Sequence, residues 1–427
     1  VKVGRSPRIE LVCIGTELLM GKQNAHAAWL SDRLEEAGFH LSRETTVGDD
    51  PREMADVFRA AWRRADVVVC TGGLGPTFDD ITRDVWSRVL RRPLRFRAAL
   101  LRDIESRFRS RGLRMPPLNR RQAFVLAGAT SLANPHGTAP GQLLRSGRRA
   151  LLLFPGPARE MNPLAERELL PLLARDWPSG RRRTAVYRLF GENESAVDDR
   201  LRPLLRTRAP GGVKLTWGIL AQRFVIDVKV TAESRDRAPA ERALRAADRA
   251  LRRRFGADVF GTGRDRLEDA VGRLLKERGG TLAVAESCTG GLIAQKVTSV
   301  AGSSDYFLRG YVTYSDAAKT DLLGVRPATL ARHGAVSARC ALEMAAGCRA
   351  RARSRWALAV TGIAGPSGGT AAKPVGTVFI ALAGPRGPRV RGFAFHGDRE
   401  QIRERTALTA LDWLRRELQR THNREIA

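Results

Sequence analysis

Lysine is scarce in this chain: only eight of its 74 basic residues are lysine, which leaves 66 arginines in a length of 427. A lysine kept where most positions went to arginine, as at Lys319 and Lys373, is a candidate for a particular role. Cysteine is sparse too. Cys13, Cys70, Cys288, Cys340 and Cys348 are odd in number, scattered and without a C-x-x-C pair, which argues against a disulfide framework and a structural zinc site. Cys13, Cys70 and Cys340 read as small core residues. No apolar run approaches the ~18 residues of a membrane span, and nothing near Val1 has the pattern of a secretory signal. A cytoplasmic protein without a membrane partner is therefore expected.

Positive charge, by contrast, is abundant, with a formal net charge of +29. A hydrophobic content of 43% and a charged content of 28% belong to a globular chain. A length of 427 residues exceeds one ordinary core and suggests two or three domains. The arginines fall in short groups, such as Arg63-Arg64, Arg181 to Arg183 and Arg252 to Arg254, never in one dominant block. That dispersion favours exposed helix faces, while a nucleic-acid partner stays open as a rival. Anionic small substrates gain from electrostatic steering in either case.

The N-terminal half alternates buried strands with amphipathic helices. Ile9 to Ile14 and Asp66 to Cys70 read as strands, and the helices between them carry Ala27, Leu30 and Leu34, then Met54, Val57 and Phe58. Such alternation implies a parallel sheet with helices on both faces and ligands at the carboxyl ends of its strands. Gly15-Thr16-Glu17 and the stretch Thr71 to Asp80 fall there. Gly72, Gly73 and Gly75 would let backbone N–H groups close around a phosphate, with Asp79 and Asp80 holding a divalent cation on it. Alternatively, the two aspartates simply suit the first turn of the following helix. Residues 176–182 form a linker by composition. A smaller unit follows, with strands at 185–189, 213–217 and 224–230 and helices at 195–205 and 239–255.

The stretch 282–319 carries the chemistry. Leu282 to Ala285 fits a buried strand, Gly290-Gly291 breaks it, and Leu292, Ile293 and Val297 take up helical spacing. Strand, tight turn and helix place the hydroxyls of Ser287 and Thr289 beside a helix N-terminus. Its N–H groups, around Thr289 to Gly291, would favour an oxyanion or a phosphate, and the sequence leaves open which. Ser287 reads as a nucleophile or as a plain N-cap. Lys319 follows a second apolar run, Tyr311 to Tyr314, and a lysine serves as a base where desolvation or a cationic neighbour lowers its pKa. Tyr314 would carry or position the proton. Cys288 is the competing nucleophile, with no histidine following nearby to activate it. The loop from Thr361 to Gly369 is suited to form substrate walls. Arg399 and Arg403 open the last helix, either near a phosphate or on a solvated face.

Ala285-Glu-Ser-Cys-Thr-Gly-Gly291, Thr361-Gly-Ile-Ala-Gly-Pro366 and Lys373-Pro-Val-Gly-Thr377 resemble the C-terminal domain of the CinA family. Gly15-Thr-Glu-Leu-Leu19 and Thr71 to Asp80 resemble that family's molybdopterin-binding-like domain, and the order of elements between them resembles its KH-like middle domain. Long motifs in the right order in both halves are specific. The resemblance implies three α/β or α+β domains, at 1–176, 183–262 and 264–427. It also implies a C-terminal amidase that deamidates nicotinamide mononucleotide without a cofactor. Ser287, Lys319 and Tyr314 would be catalytic there, and Thr289, Gly290, Gly291, Thr361, Gly362, Lys373, Arg399 and Arg403 would touch substrate. For the N-terminal domain it implies a pyrophosphatase acting on ADP-ribose-like nucleotides. Its nucleotide site would comprise Thr16, Glu17, Asn24, Gly72, Gly73, Gly75, Asp79 and Asp80, with a divalent cation on the two aspartates. A pterin-binding module without hydrolysis is the alternative. A homodimer is implied as well. The middle domain lacks the basic Gly-x-x-Gly loop of an RNA-binding KH fold and reads as a spacer. One departure stands out: where the family has a Thr-Asn pair, Asn24 is followed here by Ala25 and His26.

Overall fold

Side chains that alternate along a strand decide which helices cover each face of a sheet. The structure, a computed structural model, describes residues 6–177, 182–206, 209, 212–234 and 236–425, with side chains to Arg420. The expected linker at 176–182 thus lies partly outside the described residues. Two compact units are distinguished, one holding the chain up to Thr184 and the other most of the chain from Ala185 onward. Among the described residues no helix is long and apolar enough to cross a membrane.

The first unit contains β1 (Ile9–Ile14), β2 (Leu41–Val47), β3 (Val67–Thr71), β4 (Leu94–Phe96), β5 (Phe124–Leu126), β6 (Thr130–Leu132), β7 (Gly141–Ser146) and β8 (Arg149–Phe154). Six of them form a sheet in the order β2-β1-β3-β8-β7-β6, and β4 pairs with β5 apart from it. Val12, Ile14, Val68, Cys70, Leu151 and Leu153 fill one core, while Leu11, Cys13, Val67, Val69, Leu152 and Phe154 fill the other. Both faces are therefore buried, as the βα alternation demands. The expectation of a parallel sheet holds for β2, β1, β3 and β8 and fails beyond them, where β7 runs antiparallel to β8 and β6 antiparallel to β7. The reason is loop length: only Gly147 and Arg148 separate β7 from β8, whereas a parallel connection needs about a dozen residues.

From Arg182 onward the chain forms two further sheets. The smaller has the order β10-β11-β9-β12, built from β9 (Arg182–Phe190), β10 (Lys214–Gln222), β11 (Val225–Glu233) and β12 (Val259–Thr262). β10 runs past the end expected at Trp217 and turns at Arg223-Phe224, both left-handed with φ 34° and 72°. A two-residue hairpin asks for that geometry, though usually of Asn or Gly.

The larger sheet has the order β14-β13-β15-β16-β17, from β13 (Leu282–Glu286), β14 (Phe307–Val312), β15 (Trp356–Gly362), β16 (Thr377–Gly384) and β17 (Gly387–Ala394). β13 is parallel to both neighbours, while β15, β16 and β17 are joined antiparallel. Its two faces differ in size. Leu282, Val284, Leu358, Val360, Ile380 and Leu382 meet Val271 and Leu275 of the helix Leu267–Glu277 and Leu411 and Leu414 of the last helix, Arg399–Glu425. The other face presents Ala283, Ala285, Ala357, Ala359, Ala381 and Ala383 to the helix Ala338–Ala352. At Gly347 of that helix a Cβ would stand 1.7 Å from the carbonyl oxygen of Leu323, so it meets the helix Asp316–Leu323 backbone to backbone.

Candidate functional site

In parallel register Glu286 pairs with Val312 on β14 and with Val360 on β15. The next residues, Ser287, Thr313 and Thr361, therefore stand side by side at the carboxyl ends, where open sheets gather ligands; Ser287 and Thr313 lie just past their strands, while Thr361 still pairs with Phe379. Thr313 N donates to Glu286 O at 2.8 Å and Ser287 N to Val360 O at 3.1 Å, carrying both ladders one step further. Ser287 is 9% exposed.

The turn after it is organised by an acid that sequence reasoning passed over. Glu286 is fully buried. Its Oε2 accepts from Gly291 N and Ile293 N, both at 3.0 Å, and its Oε1 from Ala294 N at 2.8 Å. Gly290 N donates to Ser287 O at 3.1 Å. The N–H groups of Gly290 and Gly291, read from sequence as open to an oxyanion or phosphate, are thus already engaged. The cause is electrostatic: a carboxylate one residue before the serine lies within reach of the positive end of the helix Leu292–Thr298 and caps it. The only clue in the sequence was an acid closing an apolar strand. Two buried hydroxyls nearby, Thr289 Oγ1 and Thr313 Oγ1, have no hydrogen-bond partner, which marks polar groups awaiting water or a ligand.

Lys319 is 1% exposed. Its ammonium donates to Tyr314 O at 3.3 Å and Ser315 O at 3.4 Å and lies 3.7 Å from Asp316 Oδ1. It makes no hydrogen bond to Ser287 in this state. Tyr314, 60% exposed, accepts from Arg399 Nη2 at 3.0 Å, and Arg399 Nη1 donates to Gly365 O at 2.6 Å. Arg403, one helical turn on, donates to Thr289 O at 2.7 Å. The structure thus ties Thr289, Tyr314, Arg399 and Arg403 into one group around the end of β13. Thr361, Gly362 and Lys373 make contacts of another kind. The Thr361 hydroxyl donates to Ala335 O at 2.8 Å, Lys373 Nζ donates to His333 O at 2.8 Å, and a Cβ at Gly362 would come within 2.7 Å of Val378 Cγ2. Cys288 belongs to the core with Ile293, and burial pushes its thiol up to about 12. A thiol so held stays protonated, which disfavours it against Ser287 as nucleophile.

The first unit has a cavity of about 590 Å³ whose wall includes Glu17, Asn24, His26, Asp79, Asp80 and Glu160. Its glycines are set by close approach. A Cβ would stand 2.2 Å from Ile14 O at Gly72, 2.1 Å from Thr82 Oγ1 at Gly73 and 2.4 Å from Asp80 Oδ2 at Gly75. Asp80 Oδ2 accepts from Thr77 N at 2.8 Å and Thr77 Oγ1 at 2.5 Å, so this aspartate braces the loop, while Asp79 is exposed. The helix Thr82–Leu90 begins without a side-chain cap. Thr16 gives both its N–H and its hydroxyl to Asp49 Oδ2 at 2.8 Å. Asn24 accepts from His26 N at 3.1 Å and donates to Glu44 Oε1 at 2.7 Å. His26 is in contact with Thr71 Oγ1 at 3.1 Å through Nδ1, and burial lowers its pKa. Among the described residues no group of three or more His, Cys, Asp or Glu is placed to hold a metal ion.

Comparison with known proteins divides the chain into three matched segments. Residues 10–175 match the family described as probable molybdopterin binding domain, 184–261 the damage-inducible protein CinA KH domain, and 264–418 the CinA C-terminal domain. A CinA-like protein of Endomicrobium trichonymphae is 40% identical over 97% of this chain and 100% of its own length. A CinA-like protein of Geobacter sulfurreducens is 44% identical over 96% of this chain and 99% of its own. Among solved structures, competence/damage inducible protein CihA from Agrobacterium tumefaciens is 45% identical, covering 35% of this chain and 91% of that one at a TM-score of 0.34. With relatives of such identity aligned along nearly its whole length and all three domains matched in order, the chain belongs to the CinA family.

Proposed function

We propose that the second unit is a serine amidohydrolase that converts nicotinamide mononucleotide and water to nicotinate mononucleotide and ammonia. One observation carries this reading. Ser287 stands at the end of β13, and a buried lysine on the segment after the neighbouring strand β14 is held, among the described residues, by two carbonyls and an exposed aspartate. In the working state Ser287 Oγ adds to the carboxamide carbon while Lys319, as the neutral amine, takes the hydroxyl proton directly or through Tyr314. That proton passes to the amide nitrogen as the C–N bond breaks, giving ammonia and an acyl-serine. A water then gives a proton to the same amine as its oxygen bonds the acyl carbon, and the proton passes to Ser287 Oγ as the ester C–O bond breaks, releasing nicotinate mononucleotide and restoring the serine. With the glycine N–H groups engaged by Glu286 and Ser287, the unpartnered hydroxyls of Thr289 and Thr313 are the donors available to the oxyanion, and Arg399 and Arg403 supply charge for the phosphate. Purified protein incubated with nicotinamide mononucleotide is expected to release ammonia; no release under any buffer condition overturns the assignment.

The cavity of the first unit favours a second activity on an ADP-ribose-like nucleotide. The acids present suit only a sparse cation site. Asp79 is exposed and Asp80 has one oxygen engaged by Thr77, so a cation held there would draw its other ligands from the diphosphate and water, as magnesium-like ions do. Hydrolysis of ADP-ribose across a series of divalent cations separates this enzyme from a domain that only binds nucleotide or pterin.

A further inference from the structure

A cavity of the second unit, about 610 Å³, opens beside the last helix, and Ser287 is not among the residues that line it. Its size is that of a small-molecule site. Phe224, Phe393, Phe395 and Trp413 line it together with Arg391 and Arg405. Four carboxylates also reach its wall, and each is already paired. Glu192 lies 2.6 Å from Arg200, Asp258 lies 2.9 Å from Arg200 and 3.1 Å from Arg416, Asp412 lies 2.6 Å from Arg416, and Glu417 lies 2.8 Å from Arg389. Arg391 and Arg405 differ: among the described residues neither has a carboxylate partner. Arg391 lies over the Trp413 ring at 4.5 Å, and Arg405 over Phe395 at 5.1 Å and Phe224 at 5.6 Å. Stacking fixes the plane of a guanidinium and leaves its N–H edge unspent.

Trp413 supplies an independent observation. It is 5% exposed, and its indole N–H has no acceptor. A buried donor of this kind calls for a ligand or a water to complete it. The turn that presents Phe224 is itself held in a backbone conformation unfavourable to a bulky residue, with φ 72°.

We infer that this cavity is a binding site, separate from both sites described above, for a nucleoside monophosphate. Two unpaired guanidinium groups suit the phosphate, the indole N–H needs an acceptor on the base or sugar, and the aromatic wall suits a flat ring. Nothing in the inference depends on the amidase reading.

The test follows the indole resonance of Trp413 in full-length protein labelled with 15N-tryptophan, assigned by its loss in Trp413→Phe. Adenosine monophosphate, adenosine and inorganic phosphate serve as probes. The monophosphate should shift this resonance saturably, with adenosine and phosphate each at least tenfold weaker. The double variant Arg391→Ala with Arg405→Ala should raise the midpoint for the monophosphate at least tenfold. Arg405→Lys, which keeps the charge and stem but loses the planar fork, should raise it less, and a thermal midpoint reports that each variant is folded. A Trp413 resonance that does not move at millimolar monophosphate overturns the inference. So does one that phosphate alone moves equally well, which would make it a site for a simple anion, or an unchanged midpoint in a folded double variant.

Discussion

Two glycine-rich turns follow strands of this protein, and they are glycine-rich for different reasons. At Gly72, Gly73 and Gly75 a side chain would collide with Ile14, Thr82 and Asp80. At Gly290 and Gly291 the nearest atoms a Cβ would meet lie 3.6 and 3.7 Å away, and what excludes other residues is φ of 58° and 94°. The helices after the turns differ as well. The one at Thr82 has no side-chain cap and stands near an open cavity, whereas the one at Leu292 is closed by Glu286. The first turn thus leaves its helix end without a side-chain cap, while the second spends its helix end on holding the serine turn.

The sharpest break of this comparison is chemical. On the proposed mechanism Ser287→Ala should lower ammonia release roughly a thousandfold, Lys319→Ala as much, and the double variant little more, as for residues that act as one unit. Cys288→Ala should keep turnover within a small factor; the reverse pattern would reassign the nucleophile. Next come the glycines. Gly72→Ala should cost about 3 kcal/mol in urea unfolding, from overpacking added to left-handed strain, and Gly290→Ala about 1 kcal/mol, from strain alone. Equal losses would erase the distinction. Asp80→Asn should weaken the brace on Thr77 by about 1 kcal/mol and diminish any cation-dependent hydrolysis, with ammonia release unchanged.

The smallest effect is a pH dependence. Burial lowers the pKa of His26 in the folded chain, so the unfolded chain binds the proton more readily. Stability present at neutral pH is then lost as pH falls below the ordinary histidine value of about 6.5. His40 shifts in the same direction, so His26→Gln should flatten only part of the drop in thermal midpoint between neutral and mildly acid buffer.

What could be read from sequence was whatever has a period or a punctuation mark. The runs Ile9 to Ile14, Asp66 to Cys70 and Leu282 to Ala285 announce buried strands, and the strands found there lie within cores. Glycine marked both of the turns compared above. Three-residue strands such as Leu94–Phe96 and Phe124–Leu126 have no room for a period, and they and the helix Ala98–Arg109 went unread. The antiparallel β7 was readable in principle from Gly147 in a two-residue gap. The role of Glu286 was not, since a carboxylate's partners are set by a turn that exists only once the strand and helix are placed. His26 illustrates the same limit: it lines the cavity, a position its helical spacing alone does not reveal.

The alanine face of the larger sheet and the bare backbone contact at Gly347 share a consequence for the serine site. A layer only one methyl thick cannot be compressed, so it acts as a gauge that fixes how far the helix Ala338–Ala352 stands from the strands. Through Gly347 the same gauge sets the seat of the helix that carries Lys319. Through Ala335, just before the covering helix, it meets the hydroxyl of Thr361. Thickness at positions away from the serine turn thereby governs the alignment of Lys319 and Thr361 with it. A single added methylene on that face would be felt at the lysine before it was felt anywhere on the surface.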